Sequence, residues 1–167
     1  DGIDQDCDGF DECYIDSDND GFGVGTTTGP DLTCDDETGL ASQGGDCDDG
    51  NNDRFPGNPE ITADGVDQDC DGEEICYADG DNDGFGDGTV VSPNQSCGDA
   101  GEATQEGDCD DGDNSVNPDG TELIADEIDS NCDGQELCYF DNDNDGYGAA
   151  TTTISSDTDC QDNQEAT

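Results

Sequence analysis

The chain has 167 residues, of which 49 are acidic and one is basic, with no histidine, giving a formal net charge of -48 at pH 7. Hydrophobic residues make up only 27% of it, too few for a conventional core. Nucleic acid and anionic membrane surfaces are excluded as partners, because both repel such a charge, and no apolar run is long enough to span a bilayer.

Composition alone would describe a disordered acidic segment. The eleven cysteines argue against that, since they recur in register with the acids every 62 to 63 residues. Asp4-Gln5-Asp6-Cys7-Asp8-Gly9 returns as Asp67-Gln68-Asp69-Cys70-Asp71-Gly72, and again as Asp129-Ser130-Asn131-Cys132-Asp133-Gly134. The period divides the chain into units 1–63, 64–125 and 126–167. Both ends of the sequence cut through a unit, which predicts a longer parent chain.

In chain order, short extended pieces are expected at Cys13 to Ile15, Gly25 to Thr28, Thr89 to Ser92 and Ala149 to Ile154, where β-branched and aromatic residues gather. Single helical turns are expected at Glu60 to Ala63 and Glu122 to Ala125. Elsewhere Gly, Asp and Asn punctuate the chain every few residues. The fold class is therefore an irregular tandem repeat stabilised by metal and disulfides, with few short strands, little helix and no large hydrophobic core. Ordering a 62-residue unit costs on the order of 60 to 120 kcal/mol in backbone entropy, so cross-links and bound ions must supply what apolar burial does not.

Three acidic loops recur. The clearest places Asp16, Asp18 and Asp20 at positions 1, 3 and 5 with Gly21 at 6 and the carbonyl of Phe22 at 7. It is repeated with Asp79, Asp81, Asp83 and Phe85, and with Asp141, Asp143, Asp145 and Tyr147. Calcium takes about six to eight oxygens, and this spacing aims three carboxylates and a carbonyl inward. Position 12 holds Thr27, Val90 and Thr152 instead of Glu, which rejects an EF-hand and requires an acid from elsewhere. The rings of Phe22, Phe85 and Tyr147 are expected to pack.

The second loop has the same spacing in Asp4, Asp6 and Asp8, in Asp67, Asp69 and Asp71, and in Asp129, Asn131 and Asp133. The third is Asp46, Asp48 and Asp49, repeated as Asp108, Asp110 and Asp111. Glu60 and Glu122 each lie fourteen residues after the first Asp of that loop, which suits a carboxylate closing the same site. That makes eight candidate clusters. Two carboxylates about 4 Å apart repel by roughly 4 kcal/mol at an effective dielectric near 20, and the lone base, Arg54, expected to pair with a neighbouring acid such as Asp53 or Glu60 or to cover Phe55 with its stem, cannot neutralise them all. All-oxygen ligands point to several calcium ions per repeat and away from zinc or copper, with magnesium as the competitor.

These residues resemble the metal-binding repeat family named after the MopE copper protein, found in secreted bacterial proteins. Its pattern of a DxDGDGxG loop, a Cys, DCDD, PG-x-x-E and DG-x-DxDCDG is met by Asp16 to Gly23, Cys34, Asp46 to Asp49, Pro56 to Glu60 and Asp64 to Gly72. Ile61 and Leu123 stand where many members carry Cys. The resemblance implies a calcium-supported secreted repeat. It does not carry copper over, because the namesake's site uses His and modified Trp and this chain has neither. Thrombospondin type 3 calcium repeats are a looser likeness.

Two disulfide schemes remain open. One pairs Cys13 with Cys34, Cys47 with Cys70, Cys76 with Cys97, Cys109 with Cys132 and Cys138 with Cys160, and leaves Cys7 over. The other pairs Cys7 with Cys13 and its equivalents, and orphans Cys160. Either scheme places the chain in an oxidising, extracellular or cell-surface compartment. The expected function is a calcium-stabilised stalk, surface layer or fibre segment whose partners are neighbouring repeats of the same or identical chains. The alternative is a calcium-dependent adhesin or carbohydrate- or mineral-binding module, with glycans as partners. Catalysis is not expected, for want of a His or Lys base.

Overall fold

The computed structural model describes residues 3–4, 6–34 and 38–167. Twelve short strands and, among the described residues, no helix make up the regular structure. No helix is long and apolar enough to cross a membrane. The chain divides into two compact units, Asp1–Ile75 with Val91–Ser96, and Cys76–Val90 with Cys97–Thr167.

In the first unit, β1 (Glu12–Ile15) and β2 (Phe22–Thr28) form an antiparallel hairpin. Its connection is the acidic loop 16–21, so the hairpin fixes where that loop begins and ends. The register runs from Glu12 opposite Thr28 to Ile15 opposite Val24, with a bulge that leaves Gly25 over at φ 64°. A short strand, β3 (Leu40–Ala41), adds to the free edge of β1, and β4 (Gln43–Gly44) pairs parallel with β2, Phe22 opposite Gln43 and Gly23 opposite Gly44. The sheet order is β3-β1-β2-β4.

The pattern recurs along the rest of the chain. β5 (Glu74–Ala78) lies between β7 (Thr89–Ser92) and β8 (Glu102–Ala103), and β6 (Phe85–Gly86) pairs parallel with β9 (Gln105–Glu106). Further on, β10 (Leu137–Phe140) lies between β11 (Thr152–Ile154) and β12 (Glu165–Ala166).

Each hairpin needs two glycines for different reasons. Gly21, Gly84 and Gly146 sit at φ 98°, 99° and 85°, a backbone that side chains disfavour. Gly23 and Gly86 instead face the preceding strand so closely that a Cβ would collide with the carbonyl oxygens of Ile15 and Ala78.

Little of the interior is hydrophobic. Cys13, Cys76, Cys138, Ala41, Ala103 and Ala166 are buried, while Ile3, Ile61, Leu123 and Ile154 are more than 60% exposed. Five disulfides close the structure: Cys13–Cys34, Cys47–Cys70, Cys76–Cys97, Cys109–Cys132 and Cys138–Cys160, with Cα atoms 5.3 to 5.7 Å apart. They follow the first of the two schemes, and Cys7 is a free, exposed thiol.

Three expectations are corrected. Glu60 to Ala63 and Glu122 to Ala125 are not helical turns. Ala63 and Ala125 are left-handed at φ 60°, and their N–H groups donate to Ile75 and Leu137 carbonyls at 2.7 and 2.8 Å. Arg54 pairs with Asp48, 3.2 Å away, and donates to the Asp67 carbonyl, not to Asp53 or Glu60. Of the three loop aromatics, Phe22 stacks on Phe55 at 5.4 Å and Phe85 is buried, but Tyr147 is 82% exposed and does not pack.

Candidate metal centres

Each acidic loop is wound by its own carboxylates. Asp16, 3% exposed, accepts the N–H of Asn19 at 2.6 Å and of Gly21 at 3.1 Å, one on each oxygen. Asp18 accepts from Asp20 at 3.2 Å and Asp20 from Phe22 at 2.8 Å. The turns at Asp18 and Asp20 use one oxygen of each acid, whereas Asp16 uses both. Asp18 Oδ2 and Asp20 Oδ2 are buried without a donor. The same winding holds Asp79 on Asn82 and Gly84, Asp81 on Asp83, and Asp83 on Phe85. It holds Asp141 on Asn144 and Gly146, and Asp145 on Tyr147.

The missing closing acid comes from the third loop. Parallel pairing of β2 with β4 carries the chain through Gly45, whose N–H donates to Gly23 O at 3.2 Å, and delivers Asp46 beside the hairpin loop. Asp46 Oδ1 accepts from Asp48 N–H at 2.7 Å, and its Oδ2 is buried without a donor. Burial pushes the Asp46 carboxyl up, and the charge of Asp18 adds to this. Burial likewise raises Asp20, with Asp18, Asp46 and Asp16 as the charges around it. In the second unit burial raises Asp81 beside Asp83 and Asp108, and raises Asp108 beside Asp83. Oδ2 of both Asp81 and Asp108 is buried and unpartnered.

The third loop is therefore not a cluster of its own. Asp48 is taken up by Arg54, while Asp49 binds Ser17 N–H and hydroxyl at 2.9 and 2.6 Å. Asp111 accepts Gly80 N–H at 2.8 Å, and Asp110 is exposed. Glu60 does not close the Asp46 loop either. Phe55 N–H donates to Gln68 O at 2.9 Å, which folds the chain back, and Glu60 Oε1 accepts from Gln68 and Asp69 at 2.8 and 2.9 Å.

Glu60 thus joins the next loop. Oxygens of Glu60, Asp67 and Asp69 lie within 4.8 Å of one another, as do those of Asp4, Asp6 and Asp8, of Asp16, Asp18 and Asp20, and of Asp79, Asp81 and Asp83. Glu122 repeats the move on Asn131 N–H at 2.8 Å, beside Asp129, whose oxygens accept from Asp133 and Gly134. Asp71 accepts from Glu73 N–H at 2.8 Å. The acids of the two third-class loops are thus divided, with Asp46 and Asp108 standing beside the hairpin acids.

Asp46 also lies near the sulfurs of Cys47 and Cys70. Those sulfurs are bonded to each other, so neither is a thiolate ligand. Two sets of residues escape the pattern of acids at 1, 3 and 5. Position 4 of the loops is left-handed throughout: Asn19, Asn82 and Asn144 at φ 65°, 66° and 55°, and Cys7, Cys70 and Cys132 at φ 62°, 62° and 56°. The three Asn accept N–H groups of Gly39, Gly101 and Gln164 at 2.9, 2.8 and 2.7 Å. The constant Asn-Asp-Gly after the second acid was the available signal. The other set is Glu74 and Glu136, fully buried acids two residues before Cys76 and Cys138. Burial raises both, with Glu60 and Asp64 acting on Glu74, and Glu122 and Asp126 on Glu136.

Residues 1–12, 46–74 and 108–136 match the family model Cu-binding MopE, whose description is "Putative metal-binding motif". The hairpin loops at 16–21, 79–84 and 141–146 lie outside these segments. No curated protein and no solved structure matches the chain.

Proposed function

We propose, on the premise that three segments of the chain match the MopE-type metal-binding motif, the first of them over 12 residues only, that it is an extracellular repeat stiffened by calcium, serving as a stalk, surface layer or fibre segment. The observation that carries the reading is the set of buried carboxylate oxygens without donors: Asp18, Asp20 and Asp46 in one site, Asp81 and Asp108 in its repeat. Buried acids this close are unstable as bare anions, and one Arg cannot serve them all. A hard cation with about six to eight oxygen ligands fits the donor set, which offers no imidazole and, apart from Cys7 in the Asp4, Asp6 and Asp8 loop, no free thiol.

The residues that would hold the ions are Asp16, Asp18, Asp20 and Asp46; Asp79, Asp81, Asp83 and Asp108; Glu60, Asp67, Asp69 and Asp71; Glu122, Asp129, Asn131 and Asp133; Asp4, Asp6 and Asp8; and Asp141, Asp143 and Asp145. The carbonyls of Phe22, Phe85 and Tyr147 are the neutral donors proposed at position 7. Calcium there supplies positive charge at the centre of each loop, in place of an apolar core.

The structural role is supported by disulfides Cys47–Cys70 and Cys109–Cys132, which tie one repeat to the next. Such a chain works through neighbouring repeats and identical chains, in an oxidising compartment, and without catalysis. Calorimetry on EDTA-stripped protein tests the ion: strong calcium heats with weak magnesium heats are expected, and equal heats overturn calcium. Electron microscopy in millimolar calcium tests the architecture, since isolated flexible monomers would overturn the fibre. A carbohydrate- or mineral-binding role has the exposed Tyr147 ring in its favour, and glycan-array or mineral binding that a chelator abolishes would establish it.

A further inference from the structure

We propose that the chain holds two further divalent cations, one among Glu60, Asp64 and Glu74 and one among Glu122, Asp126 and Glu136. This rests on the calcium reading of the loops and adds to Glu60 and Glu122 four acids outside those sites, Asp64, Glu74, Asp126 and Glu136.

Glu74 is completely buried. Its Oε1 accepts the N–H of Ile75 at 3.1 Å, and its Oε2 makes no hydrogen bond, the nearby Ala63 N–H being taken by the Ile75 carbonyl at 2.7 Å. The charges that bear on it are Glu60 and Asp64, and no basic side chain is among them. Glu60 gives Oε1 to the N–H groups of Gln68 and Asp69, and its Oε2 is also buried without a donor. Asp64 is held in place by Val66 N–H at 2.8 Å and by the Gln68 amide at 2.9 Å. Gln68 is itself buried, so its amide fixes the acid that it touches.

The arrangement recurs 62 residues later. Glu136 is 1% exposed, accepts Leu137 N–H at 3.0 Å through Oε1, and has a buried Oε2 without a donor. Glu122 Oε2 is again unpartnered, and Asp126 accepts Ile128 N–H at 3.2 Å. An accident of packing would not be expected to leave the same two oxygens bare in both repeats. Three acids that act on one another electrostatically, two of them with a buried oxygen lacking a donor, offer a hard, anionic oxygen donor set, the donor chemistry of calcium. Because Glu60 and Glu122 also border the loop sites, each would be shared by two ions, as a carboxylate with about four lone-pair positions allows.

The variant Glu74→Gln/Glu136→Gln keeps the acceptor for Ile75 and Leu137 and replaces the orphaned oxygen by an amide. Native mass spectrometry in calcium chloride should count two fewer calcium ions on the variant than on the parent chain. An unchanged count overturns the inference, the acids then being merely protonated. A parent chain that binds no calcium overturns the loop reading instead. Should the variant not fold, terbium-soaked crystals of the parent chain decide: anomalous peaks beside Glu74 and Glu136 support the two sites, and peaks confined to the loops refute them.

Discussion

The side-chain oxygen of Asn19 accepts the backbone N–H of Gly39 at 2.9 Å, across 20 residues of chain. It does so from a left-handed backbone at the fourth position of its loop, the place that Cys70 occupies in the next loop and uses for its disulfide to Cys47. One loop geometry is thus fastened in two ways, by a hydrogen bond where the residue is Asn and by a covalent bond where it is Cys70 or Cys132. Asn tolerates positive φ better than most residues, and its amide replaces a donor or acceptor of the backbone. Replacing Asn82 by Ala should therefore lose both the bond to Gly101 and the backbone preference, at a cost of about 1 to 3 kcal/mol. Thermal unfolding of the calcium-loaded variant measures this, and an unchanged midpoint would show that the tie is idle.

Asp46 and Asp49 are three residues apart and have different tasks. Asp46 presents a bare oxygen to Asp18 and Asp20, while Asp49 binds Ser17 through both of its oxygens. Asp46→Asn with Asp108→Asn should weaken calcium binding at the two hairpin sites on the order of tenfold or more, because affinity follows ligand charge. Asp49→Ala should instead lower stability by about 1 kcal/mol and leave those sites loaded. Titration with calcium of each variant separates the two, and equal losses of affinity would remove the distinction.

That division of labour marks the limit of what was legible in the sequence. Acids at positions 1, 3 and 5 with Gly at 6 are a local pattern, and each loop is wound by hydrogen bonds two to five residues long. Such geometry can be read from spacing alone. The closing acids cannot, because Asp46 arrives through the parallel pairing of two two-residue contacts, Phe22 with Gln43 and Gly23 with Gly44. Strands this short leave no periodic signal. Glu60 was assigned to the wrong loop for the same reason: its partner is set by a chain reversal between Phe55 and Gln68, and counting residues does not reveal its direction. Glu74 and Glu136 were passed over because a single acid before a Cys looks like any other acid in so acidic a chain.

Acid should act in opposite directions on the calcium-free and the calcium-loaded protein. Asp20, Asp46, Asp69, Asp81, Asp108, Glu74 and Glu136 are all raised, burial being the largest cause in each. A carboxyl raised on folding binds its proton more tightly in the native state. Its stabilising effect is complete below the ordinary carboxylate range, near pH 4, and is lost as pH rises through the raised value. The EDTA-stripped protein should therefore gain thermal stability as pH falls from 7 toward about 5. In calcium the protons compete with the ion for the same oxygens, so the midpoint should fall over that window. Asp31, Asp113 and Asp141 are lowered: hydroxyl and backbone donors of Thr33 and of Ser115 hold the first two down, and in Asp141 the effect of burial is outweighed by the N–H groups of Gly146, Asn144, Asp143 and Asp145. Their stabilisation is lost below the ordinary range and limits the gain at lower pH. Calorimetric scans in EDTA and in calcium at matched pH decide, and parallel slopes would contradict the assignment.

Reduction of the native protein should proceed in a set order. Cys13, Cys34, Cys76, Cys97, Cys138 and Cys160 are all buried, whereas Cys47 and Cys109 are exposed and Cys70 and Cys132 half-buried. Thiol–disulfide exchange needs an attacking thiolate to reach a sulfur, so access decides which bond opens first. Mild dithiothreitol in calcium should open Cys47–Cys70 and Cys109–Cys132 while the other three persist, and Cys7 should alkylate even before reduction. Each lost bond releases a loop whose ends are 21 to 23 residues apart, worth roughly 3 kcal/mol in the chain-entropy model. The intermediate that keeps three disulfides should consequently unfold at a lower temperature yet keep Asp46 beside its hairpin, because β2 and β4 pair independently of Cys47. Differential alkylation followed by peptide mass spectrometry reads the order, and simultaneous opening of all five bonds would show that the buried disulfides are not protected by the fold.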